Sequence, residues 1–281
     1  MDTMRSIVRA ASAALLLGFT SLAAAGPEED RHALVGYFQQ RFADIPFENY
    51  IDGAYNFDED ARQQWLDLED FPPYEFALEE GEALFNTPFA NGAGYADCFE
   101  NGAIAIRQNY PKWDRENGRV VTLELAINEC RENNGEQLYP WEKGELAAVS
   151  AYMAYTSRGE VFAIEVPADD PRALAAYEEG KRFFYTRRGQ LNMNCASCHL
   201  EGANVRLRSE LPGPALGQVS HFPVYRSRWG ELGSLHRRYA GCNDQVRATP
   251  FPAQSKQYRQ LEYFHTYMSN GLAVNGPGSR K

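Results

Sequence analysis

Residues 192–202 read NMNCASCHLEG, which sets Cys195, Cys198 and His199 in the spacing C-x-x-C-H. Two thiols so placed can form thioether bonds to the two vinyl groups of one porphyrin, and the residue that follows is then held beneath the iron. The motif predicts one covalently attached haem c, with Cys195 and Cys198 as attachment points and His199 as proximal axial ligand. Two other chemistries use a close cysteine pair. A zinc site needs a second ligand pair at usable spacing, which is lacking, and a thioredoxin-type dithiol needs a βαβ setting, which is also lacking.

The elements that must position this motif occur twice along the chain. LEEGEALF (78–85) puts Gly81 ahead of Cys98, and YEEGKRFF (177–184) puts Gly180 ahead of Cys198 at nearly the same spacing. Pro111 in YPKW and Pro223 in FPVY each precede a further cysteine, Cys130 and Cys242, at equal spacing. A Tyr-Met pair follows each of these cysteines, Tyr152-Met153 and Tyr267-Met268. Landmarks repeated in one order predict a duplicated module, with copies at 71–160 and 171–281 and a linker at 161–170 that runs into the proline- and acid-containing IEVPADDPRA (164–173). Apolar residues recur at helix spacing at Leu78, Leu84 and Phe85, at Tyr177, Phe183 and Phe184, and again at Leu146, Val149 and Met153. The expected fold class is therefore mainly α, with GEVFAIEV (159–166) the best strand candidate. Residues 26–70 form an N-terminal extension with helical runs such as RHALVGYFQQRF. The second copy has an insertion between Cys198 and Cys242, in the Gly/Pro-rich ELPGPALGQ, which reads as a loop.

This alignment sets Cys98 opposite Cys198, Tyr95 opposite Cys195 and Phe99 opposite His199. The first module is accordingly expected to hold no haem c. Cys130 matches Cys242, and with no cofactor between them Cys98 and Cys130 can approach. A Cys98–Cys130 disulfide is expected, the alternative being two free buried thiols. Thioethers at Cys195 and Cys198 and one such pair leave Cys242 as the odd thiol of five cysteines.

The ligand opposite His199 decides between functions. Met268 lies beyond it at a separation usable for His/Met ligation, but its counterpart Met153 sits in the module without haem. His221, His236 and His265 are further candidates, none with a repeat counterpart. Cys242 occupies LHRRYAGCNDQVRATPF, with Arg237 and Arg238 before it and Arg247 after it. Guanidinium groups near a thiol favour the thiolate, the nucleophilic and metal-binding form, and offer donors to an oxyanion. The other reading of this stretch is a solvated basic segment with a passive thiol.

At 281 residues the chain can build two modest domains. Its opening segment, 1–25, reads as a secretory signal: Arg5 and Arg9, the apolar AASAALLLGFTSL, and the small residues Ala23-Ala24-Ala25. That run is too short to span a bilayer permanently, so an exported protein without a membrane anchor is expected. Removing the signal takes away Arg5, Arg9 and Asp2, so the formal charge of −10 becomes slightly more negative, a poor balance for binding nucleic acid.

Taken together, the tandem modules, CASCH in the second, the lone thiol of RRYAGCNDQVR and the YMSNGL ending resemble the SoxA subunit of the SoxAX cytochromes of bacterial thiosulfate oxidation. The resemblance covers nearly the whole mature chain. It implies two tandem cytochrome c-like modules, a periplasmic heterodimer with a small SoxX-type cytochrome, and an enzyme that couples thiosulfate to a cysteine of the carrier SoxYZ. Two electrons would pass to a small c-type cytochrome. It further implies that Cys242 is distal ligand and catalytic thiol, often found as a persulfide in the family, and that Arg238 binds substrate; Arg247 is a weaker second match. Some members carry two haems, but Tyr95 and Phe99 make this chain resemble the single-haem type. The competing functions are a thiosulfate dehydrogenase forming tetrathionate and a plain electron-transfer cytochrome.

Overall fold

The computed structural model describes residues 26–207 and 210–280; the expected signal segment 1–25 lies outside them. The chain opens with α1 (Pro27–Arg41), which begins on proline with Glu28, Glu29 and Asp30 in its first turn, where acidic side chains favour a helix N-terminus. A 3₁₀ segment at Phe47–Asn56 leads to α2 (Glu59–Glu69), capped by the Asp58 carboxylate accepting from the Ala61 N–H at 3.0 Å.

Two runs of elements in the same order follow. The first is α3 (Glu75–Asn86), the short α4 (Tyr95–Cys98), a hairpin of β1 (Lys112–Asp114) and β2 (Arg119–Val121), α5 (Leu123–Asn133) and α6 (Glu145–Tyr155). The second is α7 (Pro171–Tyr185), a π-helical turn at Ser197–Glu201, a hairpin of β3 (Val224–Arg226) and β4 (Glu231–Gly233), α8 (Leu235–Gln245) and α9 (Lys256–Tyr267). A final strand β5 (Gly278–Arg280) pairs in parallel with β3. A cis X-Pro bond, Tyr110-Pro111 or Phe222-Pro223, precedes each hairpin. Thr122 and Ser234 cap α5 and α8 in the same way, each side chain accepting from a backbone N–H in the first turn. Cys130 and Cys242 hold the same position in their respective helices. Among the described residues no helix is long and apolar enough to cross a membrane.

The repeated glycines hold each run together. A Cβ on Gly81 would stand 2.0 Å from the Ala148 carbonyl oxygen, and one on Gly180 1.9 Å from that of Gln260. Glycine is what lets α3 cross α6, and α7 cross α9, at backbone distance. These two contacts also fix the correspondence of the last helices: Ala148 matches Gln260, so Met153 matches His265. The Tyr-Met pairs are therefore about one helical turn out of register, because a shift of that size leaves the same face buried. Met153 lies inside α6, whereas Met268 is the C-cap of α9.

The strand candidate 159–166 forms an isolated bridge, Val161 to Ala273, with the Phe162 N–H donating to the Leu272 carbonyl and the Phe162 carbonyl accepting from the Gly271 N–H. Regular strands occur instead in the hairpins and β5, each three residues long, too short for alternation to show in sequence.

Each run has its own hydrophobic core. The first is filled by aromatic rings: Tyr95 is fully buried and packs on Phe85 and Phe89 at 5.9 and 5.0 Å, and Phe99 packs on Tyr110. The Tyr95 hydroxyl accepts from Arg131 at 3.2 Å, which satisfies its one polar atom. Aromatic side chains thus stand at the positions that Cys195 and His199 hold in the second run. Cys98 and Cys130 are joined by a disulfide, with Cα atoms 5.8 Å apart.

Charged groups are buried where the two runs meet. Arg107 and Glu124 from the first approach His236 and Glu262 from the second, and all four are at most 4% exposed. Arg107 Nη2 lies 3.9 Å from Glu262 Oε1, His236 Nε2 lies 3.2 Å from Glu262 Oε2, and Ser150 donates to Glu124 at 2.9 Å. His236 occupies in α8 the place of Glu124 in α5, so the cluster follows the internal repeat.

Candidate haem and thiol site

The C-x-x-C-H segment is fixed from the N-terminal extension. Arg41 at the end of α1 donates to the carbonyls of Leu200, Glu201 and Ala203 at 2.5, 3.0 and 2.9 Å, the carbonyls a helical turn leaves without partners. Asn194 caps the turn, its side-chain oxygen accepting from the Ser197 N–H at 2.7 Å.

The inserted loop forms a wall behind His199. Gly213 and Gly217 press against the 3₁₀ segment 47–56, where a Cβ on either would come within 2.8 Å of the backbone of Ala54 or Tyr50. From this loop the Gly213 carbonyl accepts from His199 Nδ1 at 3.0 Å, and the Ala215 N–H donates to the His199 carbonyl at 2.8 Å. Donation from Nδ1 sets the tautomer and leaves Nε2 as the base, as in metal-binding histidines. The Gln218 amide nitrogen lies 3.3 Å from that Nε2.

Cys195, Cys198 and Cys242 are free thiols, all partly buried. Burial, reinforced by the neighbouring thiols, pushes Cys195 up to about 12 and raises Cys198 as well. Cys242 behaves differently. Burial acts to raise it, but the Arg238 guanidinium, a hydrogen bond with His199 and the charge of Arg226 together bring it down to about 7. Cys242 is therefore the thiol whose setting, shared with His199 and Arg238, is electropositive and favours thiolate.

Two of the other histidine candidates, His265 and His236, have polar partners elsewhere. His265 contacts the Tyr239 hydroxyl at 3.1 Å and the Ala215 carbonyl at 3.2 Å, and burial holds it down to about 3. His236 accepts from the Gln254 N–H and faces Glu262; His221 stacks on Phe222 with centroids 4.9 Å apart. Met268 is buried in the core beneath α9.

Of the arginines read from the sequence, Arg238 is brought to the thiol and Arg247 is not. α8 ends at Gln245, and Arg247 turns away with a left-handed φ of 58°, its exposed guanidinium reaching Gln190 Oε1 at 3.4 Å. The other arginine whose charge lowers Cys242 is Arg226, at the end of β3, which no local motif marks.

Among the described residues no three His, Cys, Asp or Glu side chains are grouped as ligands for a bare metal ion. Two free thiols of one C-x-x-C-H segment, an imidazole whose Nδ1 is held by a carbonyl so that Nε2 is left as the base, and a third free thiol are the donors a covalently bound haem c requires, so the residues present fit that cofactor.

Residues 80–162 match the family model of the SoxA/TsdA cytochrome c domain, a match that falls on the run without the C-x-x-C-H motif. The chain is 55% identical over 258 residues to the L-cysteine S-thiosulfotransferase subunit SoxA of Allochromatium vinosum, covering 92% of each chain. It is 54% identical to the subunit of the same name from Chlorobaculum tepidum, over 90% of this chain and 88% of that one. A crystal structure of SoxXA from P. pantotrophus superposes with a TM-score of 0.70 at 28% identity, covering 78% of this chain and 84% of that chain. With the helical repeat, the thiols around His199 and this identity along nearly its full length, the chain belongs to the SoxA family of c-type cytochromes.

Proposed function

We propose that this chain is the haem c subunit of an exported L-cysteine S-thiosulfotransferase and that Cys242 is its catalytic sulfur. The reaction joins the sulfane sulfur of thiosulfate to a cysteine of a SoxYZ-type carrier. One S–S bond forms, the carrier thiol gives up its proton, and two electrons leave towards a small c-type cytochrome. Residues 71–160 are the module that has lost its haem and 171–281 the module that keeps it. A SoxX-type cytochrome completes a heterodimer, and the signal segment 1–25 directs the chain to the periplasm.

Cys195 and Cys198 would hold the haem, and His199 and Cys242 would supply the nitrogen and sulfur donors to its iron. When bound, the haem supplies an electron acceptor and a soft metal that tunes the sulfur. The chain's own residues do the rest. Gly213 fixes the His199 ring, and Arg238 draws thiosulfate, a dianion, to a protein whose formal charge is negative overall. The same guanidinium stabilises the Cys242 thiolate, the form that attacks sulfur. The observation that carries the assignment is that Cys242 stays a free thiol at the position in α8 where α5 has the disulfide-bonded Cys130.

Cys242→Ser is expected to abolish carrier-dependent thiosulfate oxidation while haem stays attached through Cys195 and Cys198. Retained turnover in that variant removes the catalytic assignment. Equal thiosulfate oxidation with and without the carrier, yielding tetrathionate, points to the dehydrogenase instead.

A further inference from the structure

The internal repeat supplies a control for the thiol site within the same chain. Asp114 ends β1 as Arg226 ends β3, and Ala126 holds in α5 the place of Arg238 in α8. In the first run Asp114 stands opposite Arg119 in the hairpin and pairs with it at 3.2 Å. In the second run the signs are exchanged: Arg226 stands opposite Glu231. That pair does not close. The Glu231 carboxylate is taken by Arg237 at 3.1 Å and Lys143 at 3.5 Å, and the Arg226 guanidinium lies 5.6 Å from the Trp229 ring.

Among the described residues neither Arg226 nor Arg238 has a carboxylate within ion-pair distance, although both are half-buried. Each is close enough to feel the other's charge, and both feel Cys242. Glu210 is the acidic side chain whose charge also reaches Arg226, without forming an ion pair. Two like charges in a partly desolvated place repel, and a fold tolerates that most readily where an anion completes the arrangement. The run that has lost its haem has neither cation, and its equivalent cysteine is closed in a disulfide.

We propose that Arg226 is a second anion-binding residue, which with Arg238 forms a two-guanidinium clamp over the Cys242 sulfur for a small tetrahedral sulfur oxyanion. This rests on the function proposed above, with the sulfonate end of thiosulfate as the group clamped. Two forks can engage the three terminal oxygens at once, which a single arginine cannot do without leaving one oxygen to water.

The test compares how fast the anion iodoacetate and its neutral analogue iodoacetamide alkylate Cys242 in the haem-loaded heterodimer. Dividing one rate by the other cancels any effect of ligation or exposure on the sulfur. Arg226→Gln should lower this ratio about tenfold, corresponding to about 1.4 kcal/mol, whereas Arg226→Lys should keep most of it. In turnover, Arg226→Gln should raise KM for thiosulfate about tenfold with kcat little changed, and Arg226→Lys should restore only part of the loss, since an ammonium lacks the fork. An unchanged alkylation ratio in Arg226→Gln, with haem content and circular dichroism of wild type, overturns the proposal. If wild-type protein discriminates between the reagents through Arg226 yet oxidises no thiosulfate, the anion site stands and the assigned reaction fails.

Discussion

The buried pair Arg107–Glu262 offers the most direct way to weigh the contact between the two runs. Both side chains are 2% exposed, and their nearest charged atoms are 3.9 Å apart. Arg107→Met leaves Glu262 with His236 as its remaining partner and with the Glu124 carboxylate near by. Removing one member of a buried pair strands the other, at a cost of about 3–5 kcal/mol. For a chain of this size that is a fall in Tm of roughly 6–20 °C. The assay is denaturant unfolding of the haem-loaded protein, followed by circular dichroism, for Arg107→Met, Glu262→Gln and the double variant. If the two groups stabilise each other, the double variant loses less than the sum of the singles, with a coupling of about 0.5–3 kcal/mol. Additive losses, or a loss for Arg107→Met well below the buried-pair cost, would refute the idea that this pair joins the two runs.

Three further outcomes follow from the same cluster and the repeat. Burial, with the charge of Glu262, raises the Glu124 carboxyl above its ordinary 4.5; between that value and the raised one the folded chain holds a proton the unfolded chain has lost. Stability should therefore fall as pH rises through that window, and Glu124→Gln, which keeps an acceptor for Ser150, should flatten the fall and be more stable at neutral pH. Replacing both Cys98 and Cys130 by serine opens a loop with a sequence separation of 32 residues and should cost about 4 kcal/mol on the chain-entropy estimate, read from the denaturant midpoint with haem attachment intact. Gly180→Ala should destabilise despite alanine's helix preference of about 1 kcal/mol, because its Cβ meets the Gln260 carbonyl and overpacking costs about 1–3 kcal/mol; a gain in Tm would show that α7 and α9 can separate freely.

Much of the site was legible because its chemistry lies in short spacings. The C-x-x-C-H motif, the odd thiol and the paired glycines can all be counted along the chain, and those glycines proved to be backbone crossings. Arg226 was not legible, because it is far from Cys242 in sequence and a hairpin of very short strands brings it there. Arg247 is the converse case: it is near Cys242 in sequence, but α8 ends between them and the chain turns. The Tyr-Met landmark slipped by about one turn because a helix buries the same face again after each turn. ELPGPALGQ read as a loop insertion, but its glycines let it lie on residues 47–56, and that packing presents the Gly213 carbonyl to His199. The N-terminal extension likewise gave no sign that Arg41 would cap the haem-binding turn.

The central claim is that Cys242 is the sulfur opposite His199 across the haem. Low-temperature EPR of the oxidised, haem-loaded heterodimer, wild type against Cys242→Ser at equal haem content, tests it most directly. A low-spin histidine/sulfur spectrum is expected in the wild type and should be lost in the variant. A spectrum left unchanged by Cys242→Ser would place another side chain on the iron and contradict it.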